Sequence, residues 1–410
     1  MSGAPDSPPA LPVSVVIVNN GRRAELALAL KGLEYQRYRN FELIVVTDLP
    51  PEARPDSRLP VRWIAFAERN ISAARNRGIQ AARGAIVAFI DDDAVPEFGW
   101  LERLIPAFDD PSVGAAGGFV RGRNGVGFQW TCVAFDTLGA DHPVALADDT
   151  PRVFAPRPDR FLKTVGTNCA FRRTALAGIG GFDEAFRFFL DEADVNLRLS
   201  RAGWSAAIVP QAEVHHGFAA GPHRSARRVP TSLFELAASQ AHFLVCHAPE
   251  SQHAARLDAF RAEQRKRLLR HFMLGKLSGR GLRDLMGTIE DGIAAGRRRG
   301  PAPAGIAAPD GAFTPVTPVA SGRRTLCLSR AAARAAAARG DEVTLLRPEA
   351  GFRPLSVRFT AEGYFLHRFG LLGRAERDRP RPAPSRAARL ERELARIAAQ
   401  RGALHIGSAE

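Results

Sequence analysis

The first ninety residues alternate short apolar, β-branched runs with segments of helical spacing. The runs that predict strands are 13–18, 41–46, 61–65 and 85–90, and the helices predicted between them are 22–33 and 71–82. This alternation is typical of βαβ units on a parallel sheet. Three of the strands run directly into polar residues at their carboxyl ends. Ligands of open α/β sheets bind at that edge, so we expect a site there.

The rest of the chain is less regular. Residues 113–161 mix short apolar stretches with Gly and Pro, which indicates strands and loops that cover the ligand edge of the sheet. A helix is predicted over 192–202, a strand over 205–209, and polar residues 213–216 follow it. We predict a mostly parallel α/β sheet flanked by helices, then a basic helical extension and a small α/β fragment. The predicted segments are a disordered N-terminus at 1–11, the main domain at 12–220, the basic helical extension at 221–299, a Pro/Gly/Ala linker at 300–322, the small α/β fragment at 323–370, and an Arg/Ala-rich tail, helical or disordered, at 371–410.

Composition excludes several classes of protein. The 410 residues are 45% hydrophobic, which excludes one small module and a wholly disordered chain. The four Cys form no C-x-x-C pair, which argues against a zinc ribbon, a redox dithiol and a disulfide-stapled fold. No signal-peptide pattern and no run of 18 apolar residues is present. We therefore expect a cytoplasmic protein without a membrane span.

The formal net charge of +14 is unevenly distributed. Residues 1–220 carry 24 Lys+Arg and 26 Asp+Glu, whereas residues 221–410 carry 33 and 17. A nucleic-acid-binding protein would interleave basic and aromatic residues on one surface, and the slightly acidic first half does not. We therefore predict no nucleic-acid partner. The basic segment 221–299 is either a peripheral contact with the anionic inner face of a membrane or a solvated basic surface.

Three consecutive carboxylates, Asp91, Asp92 and Asp93, follow the fourth predicted strand. They repel one another, so a bound cation would stabilise them, and their hard oxygen ligands suit Mg²⁺ or Mn²⁺. An ion held by one or two carboxylates keeps coordination positions for diphosphate oxygens, as a nucleotide-sugar leaving group would require. The alternative is an Asp-rich turn in which Asp93 caps a helix that starts near Pro96.

A second acidic cluster, Asp191, Glu192 and Asp194, stands at the start of the predicted helix 192–202. One carboxylate in a cleft would serve as the base that takes a proton from an acceptor hydroxyl. The alternative is an acidic helix N-terminus in which Asp194 pairs with Arg198.

Three further positions carry candidate chemistry. Asp48 ends the second strand, where it would accept a hydrogen bond from a base or a ribose hydroxyl. Arg75, on the helix before the Asp triplet, would bind a phosphate or only neutralise that triplet. His215 and His216 are adjacent, so in a strand at most one of the two imidazoles faces a metal ion.

Taken in order, these stretches resemble the family-two glycosyltransferases, which have the A-type nucleotide-sugar-binding fold. The resemblance covers about residues 12–220, and a D-x-D metal motif is one of its parts. Because no Q-x-x-R-W motif is present, the processive membrane synthases of this family are poor models. The segments that carry the resemblance are 13–20, 42–48, 70–78, 89–93, 166–173, 180–184 and 191–204.

The resemblance implies inverting, metal-dependent transfer of a sugar from a nucleotide-diphosphate sugar to a glycan or lipid-linked hydroxyl acceptor. The implied cofactor is Mg²⁺ or Mn²⁺. The family's Glu-Asp pair appears here as Asp191-Glu192, so either residue is a candidate base. The roles it implies are metal binding by Asp91, Asp93 and His216, nucleotide binding by Asn19, Asp48, Arg75, Asp91 and Asp92, acceptor or sugar contact by Asn168 and Asp194, and catalysis by Glu192 or Asp191.

Two other interpretations of the sequence are weaker. Segments 325–329, 337–343 and 356–359 resemble the start of a B-type, family-four glycosyltransferase, but the Gly-rich loop expected after its first strand is missing. This part is predicted to be a remnant without activity of its own. A nucleotidyltransferase that makes the sugar nucleotide would open with a Gly-rich basic loop, for which only Gly21-Arg22-Arg23 is available.

Overall fold

The computed structural model describes residues 10–221, 223–372, 385–402 and 405–406. Most of the segment predicted to be disordered, 1–11, and parts of the predicted tail, 371–410, lie outside the described residues. The strands are β1 (Val13–Asn19), β2 (Phe41–Thr47), β3 (Val61–Ala65), β4 (Ile86–Ile90), β5 (Ala94–Pro96), β6 (Val113–Arg121), β7 (Phe128–Trp130), β8 (Val133–Phe135), β9 (Asp141–Pro143), β10 (Arg152–Phe154), β11 (Phe161–Leu162), β12 (Asn168–Arg172), β13 (Ser205–His216), β14 (Arg324–Cys327), β15 (Glu342–Glu349), β16 (Ser356–Phe359), β17 (Tyr364–Gly370) and β18 (His405–Ile406). The α-helices are α1 (Arg23–Leu33), α2 (Ile71–Ala81), α3 (Trp100–Leu104), α4 (Arg173–Gly178), α5 (Asp191–Arg201), α6 (Phe234–His247), α7 (His253–Met273), α8 (Gly279–Arg298), α9 (Arg330–Ala338) and α10 (Arg386–Arg401).

The central sheet has the strand order β10-β13-β6-β12-β4-β1-β2-β3. Strands β1 to β4 are parallel, and β12 lies antiparallel between β4 and β6. Leu30 of α1 packs with Val15 on one face, while Ile79 of α2 packs with Val16 on the other. Burial on both faces explains why β1 and β2 are continuous apolar runs. The predicted α/β fold with a mostly parallel central sheet is confirmed.

The two later strands differ from the pattern-based prediction. Strand β6 lies fully buried between β12 and β13 rather than covering the ligand edge. Its Gly- and Ala-rich sequence has little strand signal, yet a β-carbon on Gly118 would lie only 1.8 Å from the Ala212 carbonyl oxygen. Strand β13 is continuous over 205–216, with an irregular register between Val209 and Val214 next to Pro210.

The basic helical extension consists of α6, α7 and α8. Helices α6 and α8 approach closely because α8 presents glycines: a β-carbon on Gly292 would lie 2.3 Å from the Phe234 carbonyl oxygen, and one on Gly296 would lie 2.1 Å from that of Ala238. Leu257, in α7, packs into the same apolar cluster. Within the described part of the chain, no helix is both long and apolar enough to cross a membrane.

The small C-terminal unit is a five-stranded sheet in the order β16-β17-β15-β14-β18, accompanied by α9 and α10. It shares a core with the main domain, because Tyr35 and Phe98 pack in one cluster with Phe365. Buried Arg401 of α10 also donates through Nε and Nη2 to Glu97 at 2.9 and 2.8 Å. The C-terminal unit is therefore packed firmly against the strands that carry the candidate site, while the segment boundaries proposed from sequence remain predictions.

Candidate active site

Strand topology brings the candidate residues to one edge of the sheet. Asp91, Asp92 and Asp93 follow β4, which is flanked by β1, whose last residue is Asn19. After the triplet the chain enters β5, which pairs with the end of β13 so that Ala94 lies opposite His216. Helix α3 starts only at Trp100, after an N-cap at Gly99, so the alternative in which Asp93 caps this helix is wrong.

Asp91, Asp93 and His216 form a cluster whose ligand atoms all lie within 4.8 Å of one another. His216 Nε2 lies 3.2 Å from Asp93 Oδ1. The other ring nitrogen, Nδ1, lies 2.8 Å from Gln129 Oε1. Because an amide oxygen only accepts, Nδ1 donates to Gln129 in this arrangement, and Nε2 is the ring nitrogen that faces the carboxylates and would bind a cation. Orientation of a ligating imidazole by a hydrogen bond on its far nitrogen is typical of metal sites.

Hydrogen bonds also fix the two carboxylates. The backbone N–H of Ala219 donates to Asp93 Oδ2 at 2.8 Å, and the Thr167 hydroxyl donates to Asp91 Oδ2 at 2.7 Å. Burial raises the pKa of Asp93, but His216 and Arg22 outweigh it and lower that pKa to about 2. Asp93 is therefore a carboxylate at neutral pH, as a cation ligand must be.

Asp92 is fully buried and supports its neighbours instead of facing the cluster. Asn19 Nδ2 donates to its Oδ2 at 2.6 Å, and Arg22 Nε donates to the same oxygen at 3.0 Å. A second Arg22 nitrogen donates to Oδ1. Burial raises the pKa of Asp92 to about 7, although Arg22 opposes that shift. The structure thus places Asn19 and Asp92 behind Arg22, whose side chain is 26% exposed.

Asp48 is exposed at the end of β2. Its Oδ1 accepts a hydrogen bond from the Gly21 backbone N–H at 2.7 Å, which links the turns after β1 and β2. Gly21 has φ +68°, a backbone conformation that favours glycine. Asp48 is therefore a predicted nucleotide-binding residue that a ligand can reach.

Asp191 and Glu192 open α5, directly after two strained residues. Phe189 and Leu190 have φ of +74° and +63°, a region that non-glycine residues rarely adopt. Leu190 is buried in an aromatic cluster with Phe135, which holds this conformation in place. Backbone strain that the surrounding packing maintains is a feature of functional sites.

Arg75 is buried and forms an ion pair with Asp191. Its guanidinium lies over the rings of Phe89 and Phe182, at 5.7 and 5.3 Å from their centroids. A β-carbon on Gly166 would lie 2.4 Å from the guanidinium, so glycine is required there for Arg75 to fit. The structure therefore places Arg75 where it fixes the start of α5, and its predicted contact with a nucleotide stays a prediction.

The two carboxyls at the start of α5 lie in different environments. Burial and repulsion from Glu192 raise the pKa of Asp191 well above its usual range, although Arg75 opposes the shift. Burial also raises the pKa of Glu192, but the charge of Lys163 outweighs it and leaves that pKa below its usual value. Glu192 is partly exposed whereas Asp191 is 4% exposed. Glu192 is thus the more accessible member of the pair, and its pKa is shifted in the direction that favours the carboxylate.

Two predicted acceptor-side residues, Asn168 and Asp194, are buried and held by internal hydrogen bonds. Asn168 is fully buried; its Nδ2 donates to the carbonyl oxygens of Phe119 and Ala212, and its Oδ1 accepts from the Trp100 indole. These bonds join β12 to β6 and β13, so the side chain serves the sheet. Asp194 is 1% exposed and accepts from Arg198 and from His247 on α6. The alternative in which Asp194 pairs with Arg198 is correct.

The structure adds four polar residues that sequence reasoning did not place in the site. Arg22 lies just after the end of β1, and Thr167 lies next to Asn168. Both positions are close to segments that the sequence analysis named, so they could have been proposed as site residues from the sequence. Gln129 and Lys163 lie in the irregular region after β6, where the sequence has no periodic signal. Gln129 and Trp130 are adjacent in β7. Gln129 contacts His216, and the Trp130 ring centroid lies 5.1 Å from Lys163 Nζ.

Part of this chain is similar in sequence to known proteins. Residues 14–180 match the family model described as Glycosyl transferase family 2. The chain is 31% identical to the pre-mycofactocin glycosyltransferase of Mycobacterium tuberculosis over 149 residues, which are 35% of this chain and 29% of that protein. It is 28% identical to the N-acetylglucosaminyl-diphospho-decaprenol L-rhamnosyltransferase of the same species over 231 residues, which are 50% of this chain and 75% of that protein.

Among solved structures, GalNAc-T7 with UDP, GalNAc and Mn²⁺ superimposes with a TM-score of 0.44 at 14% identity, over 58% of this chain and 48% of that one. The chain spans less than a third of the length of the pre-mycofactocin glycosyltransferase. The matched segment contains β1 to β4, the Asp triplet and Arg75. The chain therefore carries a domain of glycosyl transferase family 2, formed by residues 14–180.

Proposed function

We propose that this protein transfers a sugar, with inversion at C1, from a nucleoside diphosphate sugar to a hydroxyl acceptor in the assembly of a polysaccharide, lipopolysaccharide or other glycoconjugate. The observation that carries the proposal is the convergence of Asp91, Asp93 and His216 at the ligand edge of the sheet. The charges of Asp91, Asp191 and Glu192 all act on the Arg75 guanidinium, so the two acidic clusters are close neighbours. A cation site beside a carboxylate base is the arrangement that glycosyl transfer requires.

Mg²⁺ or Mn²⁺ fits these residues. Carboxylate oxygens are ligands for either ion, and an imidazole nitrogen beside them is more typical of Mn²⁺ than of Mg²⁺. Asp91, Asp93 and His216 would hold the ion. When bound, it would supply positive charge for the diphosphate leaving group. Ala219 and Gln129 contribute by keeping Asp93 and His216 in the orientation seen here.

The remaining residues of this edge divide into those that touch the donor and those that position them. Asp48 is exposed and would bind the nucleoside, and Arg22 would reach the phosphate oxygens with its planar fork. Asn19 and Asp92 hold Arg22 through the hydrogen bonds described above. They act as positioning residues, since both are buried.

Glu192 is the base in this proposal. Its carboxylate takes the proton from the acceptor hydroxyl as that oxygen bonds to C1 of the sugar and the bond from C1 to the diphosphate breaks. Asp191 and Arg75 hold the strained start of α5, so that Glu192 faces the cleft. The positive charge of Lys163 lowers the pKa of Glu192, which favours the carboxylate but makes it a weaker base. Burial raises that pKa and so opposes this loss of basicity.

The acceptor class in this proposal is a glycan or lipid-linked hydroxyl. The support is a similarity: the rhamnosyltransferase that is 28% identical to this chain has a diphospho-decaprenol acceptor in its name. The donor's sugar and its nucleotide base depend on a few contacts in the pocket, and assays must identify both.

The test is a panel of nucleotide sugars with Mn²⁺ or Mg²⁺, in which release of nucleoside diphosphate is measured for the unmodified protein, Asp93→Asn and Glu192→Gln. Asp110→Asn is the matched control, because Asp110 is an exposed carboxylate at the opposite end of β6. We expect one donor to be hydrolysed or transferred only with metal, and both site variants to lose at least about 100-fold while the control keeps full activity.

Two results would contradict the proposal. Full activity in Glu192→Gln with loss in Asp191→Asn would move the base to Asp191. If no donor releases diphosphate and no nucleotide binds by calorimetry, the acidic clusters are structural.

A further inference from the structure

We propose that the turn between α7 and α8 is a docking surface for an anionic lipid bilayer, which holds the protein next to a membrane-borne acceptor. We define the docking surface as residues 265–280. The binding part of this inference stands alone. The role in presenting the acceptor rests on the proposed function.

The first observation is a cluster of exposed apolar side chains at the end of α7. Leu269, Phe272, Met273 and Leu274 are 39, 45, 74 and 66% exposed. They occupy the last turn of α7 and the residue after it. Four large apolar side chains exposed within six positions exceed the scattered exposure normal on a protein surface, and such a patch with a polar rim marks a protein or membrane contact.

The patch stands on a rigid base. Leu268 in the same helical turn is fully buried, and it packs with Phe260 of α7 and with Ile289 and Leu285 of α8. On α6, the Ser239 hydroxyl donates to the Phe188 carbonyl oxygen at 2.8 Å, which connects the helices to the segment before α5. The exposed side chains are therefore held at the outer end of a packed helical hairpin, pointing away from its core.

The second observation is the charge around the patch. Residues 264–283 contain seven Arg or Lys and no Asp or Glu. Arg270 and Lys276, which flank the apolar residues, are both exposed. Basic residues are attracted to the negative surface potential of an anionic membrane, while apolar side chains between them enter the boundary between headgroups and acyl chains. The apolar centre and basic rim match an anionic bilayer. A protein partner would not require such an excess of positive charge.

The third observation is that the basic surface leads towards the candidate active site. Leu274 and Lys276 line an open cleft together with Arg123, Arg227 and Arg228. The Arg228 guanidinium lies over the Phe218 ring at 5.0 Å from its centroid. Phe218 in turn stacks on His216 at 4.4 Å, and it has a strained φ of +56°. A path of cationic and aromatic side chains thus connects the docking surface with the proposed metal site, suitable for the phosphate groups of a lipid-linked acceptor.

The experiment measures binding of the full chain to vesicles in the absence of donor. Vesicles of neutral phosphatidylcholine are compared with vesicles that contain 30% phosphatidylglycerol, and bound protein is separated by flotation. We expect at least ten-fold stronger binding to the anionic vesicles, weakened by salt. Two variants test the two parts of the surface: Arg270→Glu with Lys276→Glu for the rim, and Phe272→Ser with Met273→Ser and Leu274→Ser for the apolar centre. Each should weaken binding at least ten-fold.

The matched control for the rim is Arg330→Glu with Arg386→Glu. Both residues are exposed in the first turns of α9 and α10, and the double variant changes the net charge by the same amount. A third variant, Leu274→Trp, reports insertion directly, because its fluorescence should shift to the blue only with anionic vesicles. Equal binding to neutral and anionic vesicles, or equal loss in the control, would overturn the proposal. A concentration-dependent dimer that the apolar variant abolishes would assign the surface to a second copy instead.

Failure of this inference is distinguishable from failure of the proposed function. If the vesicle assay is negative while a water-soluble acceptor still receives sugar, only the docking surface is wrong. If vesicles bind but no donor releases its diphosphate, the docking surface stands without the transferase proposal. With both functions intact, the variants should reduce transfer to a vesicle-borne acceptor and leave transfer to a soluble acceptor unchanged.

Discussion

Two clusters in the described part of the chain each bring three side chains of metal-binding type within 4.8 Å, and only one resembles a metal site in detail. The first is Asp91, Asp93 and His216, which we call the edge cluster. The second is Asp183, His242 and Cys246, which we call the inner cluster. Residue type and proximity alone do not distinguish them, so the difference lies in the hydrogen bonds that each cluster already makes.

The inner cluster is occupied by internal bonds. Asp183 Oδ1 accepts from the backbone N–H groups of Ala185 and Ala302 at 2.9 and 2.8 Å, and Oδ2 lies 3.1 Å from His242 Nε2. Burial lowers the pKa of His242, but its contacts with Asp183 and Cys246 outweigh burial and raise that pKa to about 9. A protonated imidazole has no lone pair for a metal ion. The inner cluster is therefore a buried ion pair that ties α6 to the segment before α5.

The edge cluster differs at its histidine. His216 makes its second hydrogen bond through Nδ1 to Gln129, so its ring is anchored with Nε2 facing the carboxylates, whereas His242 Nδ1 has only a 3.9 Å contact with Cys246 Sγ. Asp91 also remains partly exposed, which leaves an approach for a cation and its substrate. The partner of the far ring nitrogen thus distinguishes a candidate metal site from a structural triad of similar composition.

The largest effect should separate the clusters by metal affinity. Asp93→Asn removes an anionic ligand and should weaken Mn²⁺ binding by at least about 100-fold, whereas Asp183→Asn should leave it within about three-fold. Calorimetric titration with Mn²⁺ in the presence of a nucleoside diphosphate measures both. Equal losses in the two variants would remove the distinction drawn above.

The next effect concerns stability. His242 is fully buried, and its pKa of about 9 in the folded protein exceeds the ordinary histidine value of 6.5. The folded protein therefore binds more protons between these values, so this stabilisation is complete below pH 6.5 and is lost as pH rises through 9. Its full size is about 3 kcal/mol by the usual conversion of 1.36 kcal/mol per pKa unit. Urea unfolding from pH 6 to 9.5 should show this decline in the unmodified protein and a much flatter profile in Asp183→Asn. The same slope in both would show that His242 is not the titrating group.

Much of the fold was predictable from the sequence because burial on both faces leaves a strong signal. Strand β3 was predicted with its observed bounds, and the ends of β1 and β4 were placed within one residue. Strand β6 was predicted among strands and loops over 113–161 but not as part of the central sheet. Its Gly- and Ala-rich sequence allows the close approach of neighbouring strands, such as Gly118 against Ala212, instead of β-branched packing. That requirement appears only when the neighbouring strands are in place.

The site was predictable where a local pattern names the chemistry and not where the tertiary structure decides it. The Asp triplet and the start of α5 are local patterns. Whether Asn168 and Asp194 face a cleft or the interior depends on contacts with Trp100 and His247, which lie far away in sequence. Gln129 lies in an irregular segment, so only the structure shows that it reaches His216.

A smaller effect tests that role of Gln129. Gln129→Leu removes the acceptor that holds His216 Nδ1 while keeping a side chain of similar length, and Gln129→Glu restores an acceptor. Loss of such a partner typically costs 10- to 100-fold in metal affinity, so we expect about ten-fold for Leu and recovery in Glu. Mn²⁺ titrations of both variants measure this. An unchanged affinity in Gln129→Leu would show that His216 is positioned by its strand alone or does not bind the ion.

The smallest effect is expected at Cys246. Its Sγ lies 3.5 Å from His242 Nε2, a weak contact beside the 3.1 Å bond to Asp183. Cys246→Ser keeps a short polar side chain beside His242, so it should shift the free energy of unfolding by about 0.5 kcal/mol or less and leave bound metal unchanged. Elemental analysis of the purified protein and urea unfolding check both values. Zinc present in the unmodified protein and absent from Cys246→Ser would make the inner cluster a metal site, since a thiolate is a strong zinc ligand and a protonated His242 is none. In that case the hydrogen bond on the far ring nitrogen would no longer explain why the two clusters differ.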